Sequence, residues 1–286
     1  MRARIAILTP DPADEAFHIR WRDVFEREAI LLRAAGMVAE SRSWVEPDGF
    51  AGFDLLLPLL VWGYHRAGPQ WRAAVAEWEA RGLRVANPPS VLLWNADKAY
   101  LRRLAERGAP VVPTRYLDRL SEEALHEAAA AFGSERLIAK PQVSALAWQT
   151  IRWSPGEPLD GGPIGPAMIQ PFLPAIQSEG EISLVYFSGG FSHAIRKRPR
   201  PGDFRVQPEY DSLIAPHAPA PDELAAAEAI LAAIDEPLLY ARVDLVRGRD
   251  NAPLLMELEL VEPDLYLEFH PGGCPLFADA VARAAR

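Results

Sequence analysis

Cysteine, lysine and long apolar runs are scarce in this chain of 286 residues. The single cysteine, Cys274, excludes an internal disulfide and any cysteine-based metal cluster. Between Gly273 and Pro275 it reads as a structural residue. The longest apolar stretch, Leu55 to Trp62, contains Pro58 and is too short to span a bilayer, so no membrane partner is expected. The opening residues MRARIAILTPDP turn acidic before an apolar region develops, unlike a signal peptide, and a cytoplasmic location is the expectation. Positive charge is also in deficit: 30 basic against 39 acidic residues give a net charge of −9. That balance argues against a general nucleic-acid binder, whose affinity rests on phosphate neutralisation. No G-x-G-x-x-G follows the first apolar run, which disfavours a dinucleotide dehydrogenase.

What is present is a core-forming composition, 49% hydrophobic, with no internal repeat. Arg4 to Leu8 and Phe53 to Leu57 read as buried strands. Phe17 to Ala35 and Trp71 to Arg81 carry apolar residues at helical spacing and are stopped by Gly36 and Gly82. Leu83 to Ala86 reads as a further strand, so an α/β unit with mostly parallel strands is expected here. Beyond Asn87-Pro88-Pro89, helices are expected over Asn95 to Arg107, Ser121 to Phe132, Asp222 to Ile234 and Asp279 to Ala285. Ser121 is the expected N-cap of its helix. Extended structure is expected at Pro113 to Tyr116, with strands at Leu137 to Pro141 and Ala167 to Phe172. A Gly/Pro-rich loop, Ser154 to Pro166, lies between these last two. Ile182 to Phe187, Phe191 to Arg196 and Phe204 to Gln207 read as antiparallel strands, and Tyr240 to Val246 with Leu254 to Leu260 as a hairpin.

Only three of the 30 basic residues are lysines: Lys98, Lys140 and Lys197. Each falls at an element boundary and none belongs to a helix face of mixed charge. Spread over about 100 residues, they converge on a polyphosphate only if a cleft brings them together. Solvated surface positions are the alternative. Asp244 lies in a strand pattern, and Glu257 and Glu259 stand two apart on the next, so their side chains share a face. Three such carboxylates suit Mg²⁺, a hard cation; an exposed hairpin face would carry the same spacing.

These residues are where the chain resembles the ATP-grasp superfamily. The resemblance rests on Asp97-Lys98, Lys140-Pro141, Gln170-Pro171-Phe172, Gly202-Asp203-Phe204-Arg205, Val243-Asp244-Leu245 and Glu257-Leu258-Glu259, in that order. It covers most of the chain and implies an α/β and α+β fold. Residues 1–95 would form a Rossmann-like pre-ATP-grasp domain, 96–173 the central lobe and 174–286 the C-terminal lobe carrying the metal site. Within the superfamily, His18-Ile19-Arg20-Trp21, Trp62-Gly63-Tyr64-His65, Trp94 to Lys98 and Glu262 to Leu267 resemble the branch that closes O-ureido-serine to cycloserine.

The resemblance implies ATP and Mg²⁺ as cofactors. Lys98 and Lys140 would contact phosphates, Gln170, Pro171, Phe172 and Leu173 would form the adenine hinge, and Glu179 or Glu181 would bind ribose. Lys197 and Arg205 would face the γ-phosphate or an acyl phosphate, and Asp244, Glu257 and Glu259 would hold the metal. Two departures stand out. Glu259 occupies a position where many members carry Asn, and residues 142–150 lack the glycines of the usual phosphate-covering loop. Ser144 and Thr150 are then the hydroxyls expected there.

Arg20, Tyr64 and His65 are expected to receive the acceptor, with Trp21 and Trp62 shaping the pocket; packing in the core is the alternative for Trp21. The implied chemistry activates a small-molecule carboxylate as an acyl phosphate and joins it to an amine, within one molecule or between two. A kinase that stops at phosphorylation and a non-catalytic nucleotide binder are the competing readings. A homodimer is a further expectation.

Overall fold

The computed structural model describes residues 2–17, 20–206, 210–270, 272 and 274–286. His18 and Ile19 of the first quoted motif, Gln207 of the expected strand and Gly273 beside Cys274 lie outside the described residues.

A parallel sheet opens the chain. β1 (Arg4–Thr9) lies between β2 (Val38–Ser43) and β3 (Leu55–Leu57). α1 (Arg20–Ala34) buries Val24, Phe25, Ala29 and Leu32 against it, and α2 (Gly68–Ala80) buries Trp71, Val75 and Trp78. β2 escapes the periodicity reading because its sequence, VAESRS, is mostly polar. Its edge position explains why it needs little apolar surface.

The strand expected at Leu83 to Ala86 is corrected to a single bridge, Leu56 to Val85. Pro88 and Pro89 follow at once and offer no N–H to extend a ladder. Asn87 instead ties this segment to the far end of the chain. Its Nδ2 donates to the carbonyls of Tyr240 and Leu260 at 3.0 and 2.8 Å, and its Oδ1 accepts the Leu239 N–H at 2.7 Å.

The helix expected over Asn95 to Arg107 is two helices. α3 (Pro89–Asn95) begins with proline in its first turn, where a missing N–H costs nothing, and α4 (Tyr100–Glu106) follows. Between them the Lys98 N–H donates to Gln142 O at 2.9 Å, and Asp97 Oδ1 accepts the Ala99 N–H at 2.8 Å. These bonds replace the helical ladder across the junction.

Two antiparallel sheets complete the fold. The smaller has the order β4 (Arg115–Leu117), β7 (Ala167–Pro171), β5 (Leu137–Pro141), β6 (Ile151–Trp153), covered by α5 (Glu122–Phe132). Ser121 caps α5, accepting the Ala124 N–H at 3.1 Å. The larger has the order β10 (Leu213–His217), β9 (Gly190–Arg198), β8 (Glu181–Phe187), β11 (Tyr240–Arg247), β12 (Pro253–Glu259). α6 (Ala175–Ser178) links the two sheets, α7 (Pro221–Ala232) precedes β11, and α8 (Pro275–Ala284) ends the chain. The fifth strand of this sheet is β10; Phe204 to Val206, expected as a strand, forms none. One buried cluster joins Ile5, Ile7 and Leu57 of the first sheet to Val185, Phe187 and Tyr240 of the last and to Phe277 of α8.

Candidate functional site

A cavity of about 380 Å³ opens where the three sheets face one another. Lys98, Lys140 and Lys197 all line it, each brought in by a different element: the α3–α4 junction, β5 and β9. Lys98 Nζ donates to Ser144 O at 2.5 Å and pairs with Glu257 Oε1 at 3.1 Å. Lys140 has no ion pair among the described residues, and burial lowers its pKa against the pull of Glu257.

Lys197 is buried and pairs with Glu181, its register partner across β8 and β9, and with Asp244 Oδ2 at 3.7 Å. Burial works against its charge, but Asp244 and Glu181 together push its pKa up. Gly180 makes the close approach possible: its φ is +95°, and a Cβ there would collide with the Lys197 carbonyl.

The carboxylates lie opposite. Asp244 and Glu257 are direct partners across β11 and β12, and Glu259 pairs in register with Arg242. Asp244 is only 2% exposed and both its oxygens are engaged. Ser183 Oγ donates to Oδ1 at 2.6 Å, while Arg242 reaches Oδ1 through Nε at 2.9 Å and Oδ2 through Nη2 at 2.8 Å. Burial acts to raise the Asp244 pKa, yet Arg242 and Lys197 hold it down at about 2. The same Arg242 Nη2 also pairs with Glu259. Burial pushes the Glu259 carboxyl up to about 8, Arg242 opposing and Glu257 and Asp244 adding to the rise.

A group of three acidic, His or Cys side chains at metal-ligand spacing is not found among the described residues, and Arg242 bonds both Asp244 and Glu259. Glu257 and Glu259 nevertheless open on the cavity, with side chains 27% and 28% exposed. Beyond burial, Glu257 and Asp244 both push the Glu259 pKa up, a repulsion between neighbouring carboxylates that a cation would relieve. Mg²⁺ is commonly held by one or two carboxylates together with phosphate oxygens, so Glu257 and Glu259 fit it. Asp244, expected with them as a metal residue, lies at the floor, held by Arg242 and Ser183.

The rest of the cavity has an apolar end and an aromatic end. Val112, Ile138, Phe172, Leu173, Val246 and Met256 line the first, beside Gln170 and Pro171. Gln170 turns its amide away, donating to Thr114 Oγ1 at 2.9 Å, and Arg136 stacks over Phe172 at 4.7 Å. At the aromatic end, Arg20 lies over Trp62 at 5.7 Å beside Tyr64 and His65, while Trp21 packs against the core as its helical spacing allows. Burial, then Arg66 and Lys98, lower the His65 pKa to about 4.

Two expected site residues are placed otherwise. The Glu179 side chain does not line the cavity; its carbonyl accepts from Arg196 Nη1 at 3.0 Å. Glu181 lines it but is 2% exposed and held by Lys197. Ser144 also reaches the cavity, its hydroxyl 3.4 Å from Pro141 O.

Its loop turns without glycine. Leu146, Ala147 and Gln149 have φ of 54°, 56° and 54°, a left-handed conformation that costs a non-glycine residue about 1–2 kcal/mol. Tyr210 Oη donates to Leu146 O at 3.4 Å, and the Tyr210 ring lies 3.7 Å under the Arg205 guanidinium. Asp203 clamps Arg205 from the other side through Nη2 at 2.8 Å, aiming it into the cavity.

Sequence reasoning missed Arg242 and gave no site role to Glu262 and Tyr266 of the quoted Glu262 to Leu267 motif; all three line the cavity. The signal for Arg242 was its position two residues before Asp244 on one strand, which points both to the same face.

The chain is 31% identical over 273 residues to the cycloserine biosynthesis protein DcsG of Streptomyces lavendulae, spanning 87% of this chain and 90% of that protein. The crystal structure of D-cycloserine synthetase DcsG superposes with a TM-score of 0.83 at 26% identity, over 99% of this chain and 100% of that one. A D-alanine–D-alanine ligase from Bacillus anthracis, solved with ATP, shares the fold at a TM-score of 0.68 and 15% identity, over 100% of this chain and 97% of that one. No protein-family model matches the chain. Three sheets around a cleft that gathers lysines and carboxylates, together with that identity along nearly the whole length, make this chain a member of the DcsG family of ATP-grasp carboxylate–amine ligases.

Proposed function

We propose that this ligase activates the carboxylate of a small amino-acid derivative and closes it onto a nitrogen of the same molecule, as in the formation of cycloserine. The observation that carries this reading is the likeness to DcsG, named for cycloserine biosynthesis and D-cycloserine synthesis, over nearly all of both chains.

In the first step a substrate carboxylate oxygen attacks the γ-phosphorus of ATP. The bond from that phosphorus to the bridging oxygen breaks, ADP leaves, and an acyl phosphate remains. In the second, a nitrogen lone pair attacks the acyl carbon, phosphate leaves with its oxygen, and the nitrogen loses a proton. No side-chain nucleophile is needed. Lys98 and Lys140 bind the phosphates. Lys197, Arg205 and Arg242 stabilise the negative charge of the transferring group and of the tetrahedral intermediate. The apolar end beside Gln170, Pro171, Phe172 and Leu173 receives adenine, which matches its lining. Glu257 and Glu259 would hold Mg²⁺, which supplies charge neutralisation at the phosphates. Arg20, Tyr64 and His65 form the acceptor wall.

The same reading takes residues 1–95, 96–173 and 174–286 as the three domains, a cytoplasmic location and a homodimer. Among the described residues no helix is long and apolar enough to cross a membrane.

The test is a panel of amino-acid derivatives that includes O-ureido-serine, with ADP release and product mass read together. ADP with a cyclised product supports the reading. ADP with a lasting phosphorylated product makes the chain a kinase, and a product joining two molecules makes it an intermolecular ligase.

A further inference from the structure

The carboxylates around the cavity are of two kinds. Glu181, Asp244, Glu257 and Glu259 each pair with Lys197, Arg242 or Lys98. Glu262 and Asp264 line the same cavity without an ion pair among the described residues; Asp264 accepts the Tyr266 N–H, which leaves Glu262 as the carboxylate to explain. Glu262 follows β12 in the chain, and burial with the nearby Glu259 pushes its carboxyl well above the usual range, Lys98 opposing.

The backbone on either side of Glu262 is anchored. The Leu260 N–H donates to Asn95 Oδ1 at 2.9 Å, Arg242 Nη1 donates to Asp264 O at 3.1 Å, and Asp264 Oδ1 accepts the Tyr266 N–H at 3.0 Å. Pro263 stiffens the turn between these anchors. A carboxylate on a rigid turn, facing a cavity and left without a cation, suits a cationic group on the ligand.

We propose that Glu262 is a specificity residue that receives the ammonium group of the substrate, so that the ligase selects acids bearing a protonated amine next to the carboxylate it activates. This rests on the reading of the cavity as a small-carboxylate site and names what that carboxylate must carry. The missing countercharge supplies the reason. An acid without the amine offers Glu262 no cation, and the carboxyl stays in surroundings that disfavour its charge. An amino acid brings its own positive charge to the carboxylate that lacks one.

The experiment uses the full chain with two probes, O-ureido-serine and its des-amino counterpart, 3-(ureidooxy)propanoate. Binding is measured by calorimetry, and KM and kcat from ADP release, for the wild type, Glu262→Gln and Glu262→Asp. The wild type is expected to bind the amino acid about 10–100-fold more tightly than the des-amino acid, the range of one charge-assisted hydrogen bond. Glu262→Gln should raise Kd and KM for the amino acid by a similar factor, with the des-amino acid little changed, and Glu262→Asp should retain part of the preference. A wild type with no preference, or a Glu262→Gln that keeps it, overturns the assignment whether or not ADP forms. A Glu262-dependent binding preference without ADP release from either probe leaves the ammonium site standing and overturns the proposed reaction on this substrate.

Discussion

Arg242 and Asp244, two residues apart on β11, fold onto each other across the cavity floor, with Nε–Oδ1 and Nη2–Oδ2 distances of 2.9 and 2.8 Å. The same guanidinium holds Glu259, so one cation sets the position of two carboxylates. Arg242→Ala is expected to cost about 3–5 kcal/mol of stability, because Asp244 stays buried with less countercharge. Arg242→Lys keeps the charge and loses the planar fork, so it should remain folded while kcat falls about 100-fold or more. Urea unfolding and ADP release on the same preparations separate the two effects.

Lys140 presents a different case, since no ion pair among the described residues depends on it. Lys140→Ala should abolish ADP formation and leave the melting temperature near that of the wild type or above it, because a half-buried ammonium without an ion pair among the described residues is removed. Near-normal turnover by this variant would remove Lys140 from the phosphate site.

Glu257→Gln removes one of the two carboxylates proposed to hold Mg²⁺. The Mg²⁺ concentration giving half-maximal ADP release should rise about tenfold or more, and an unchanged titration curve would exclude Glu257 as a ligand. Lys98 loses its charge partner in this variant, so a parallel melt is needed to show that the fold persists.

His65 carries a pH dependence of stability with a definite sign. Its folded pKa is about 4 against an ordinary 6.5, burial being the main cause. The unfolded chain therefore binds more protons between these values, and stability falls as pH drops through 6.5 and levels off below about 4. The full span is worth about 3 kcal/mol. Urea unfolding at pH 7 and pH 5 should show a smaller loss for His65→Gln than for the wild type.

Asn95 joins α3 to β12, its Nδ2 donating to Leu258 O and its Oδ1 accepting from the Leu260 N–H, both at 2.9 Å. Asn95→Ala leaves two buried backbone groups unpaired and should destabilise the chain by about 2–4 kcal/mol. Asn95→Asp keeps the acceptor and loses the donor, so its melting temperature should not rise above the wild type's.

Much of this molecule was legible from residue order because the signals are local. A continuous apolar run placed β8, strand-like patterns placed β9, β11 and β12, and Ser121 marked the start of α5. The i,i+2 spacing on β12 put Glu257 and Glu259 on one face, since a strand's side chains alternate by geometry alone. The three lysines were conspicuous because so few exist, and all three reached one cavity. β2 and β10 were not legible: edge strands half open to solvent need no apolar signature. The break at Lys98 was hidden too, because the Gln142 carbonyl that takes its N–H lies far along the chain.

By itself, the sequence determined the kind of chemistry available: three lysines, a strand pair carrying carboxylates, and no nucleophilic cysteine pair or basic surface. The tertiary structure alone decided how those charges are shared. Asp244 became a buried anchor for Arg242, Glu181 a partner for Lys197, and Glu262 a carboxylate left without a cation. The reason is physical. Pairing and burial depend on which strands are neighbours and how far water is excluded, and both are properties of the packed sheets rather than of residue order.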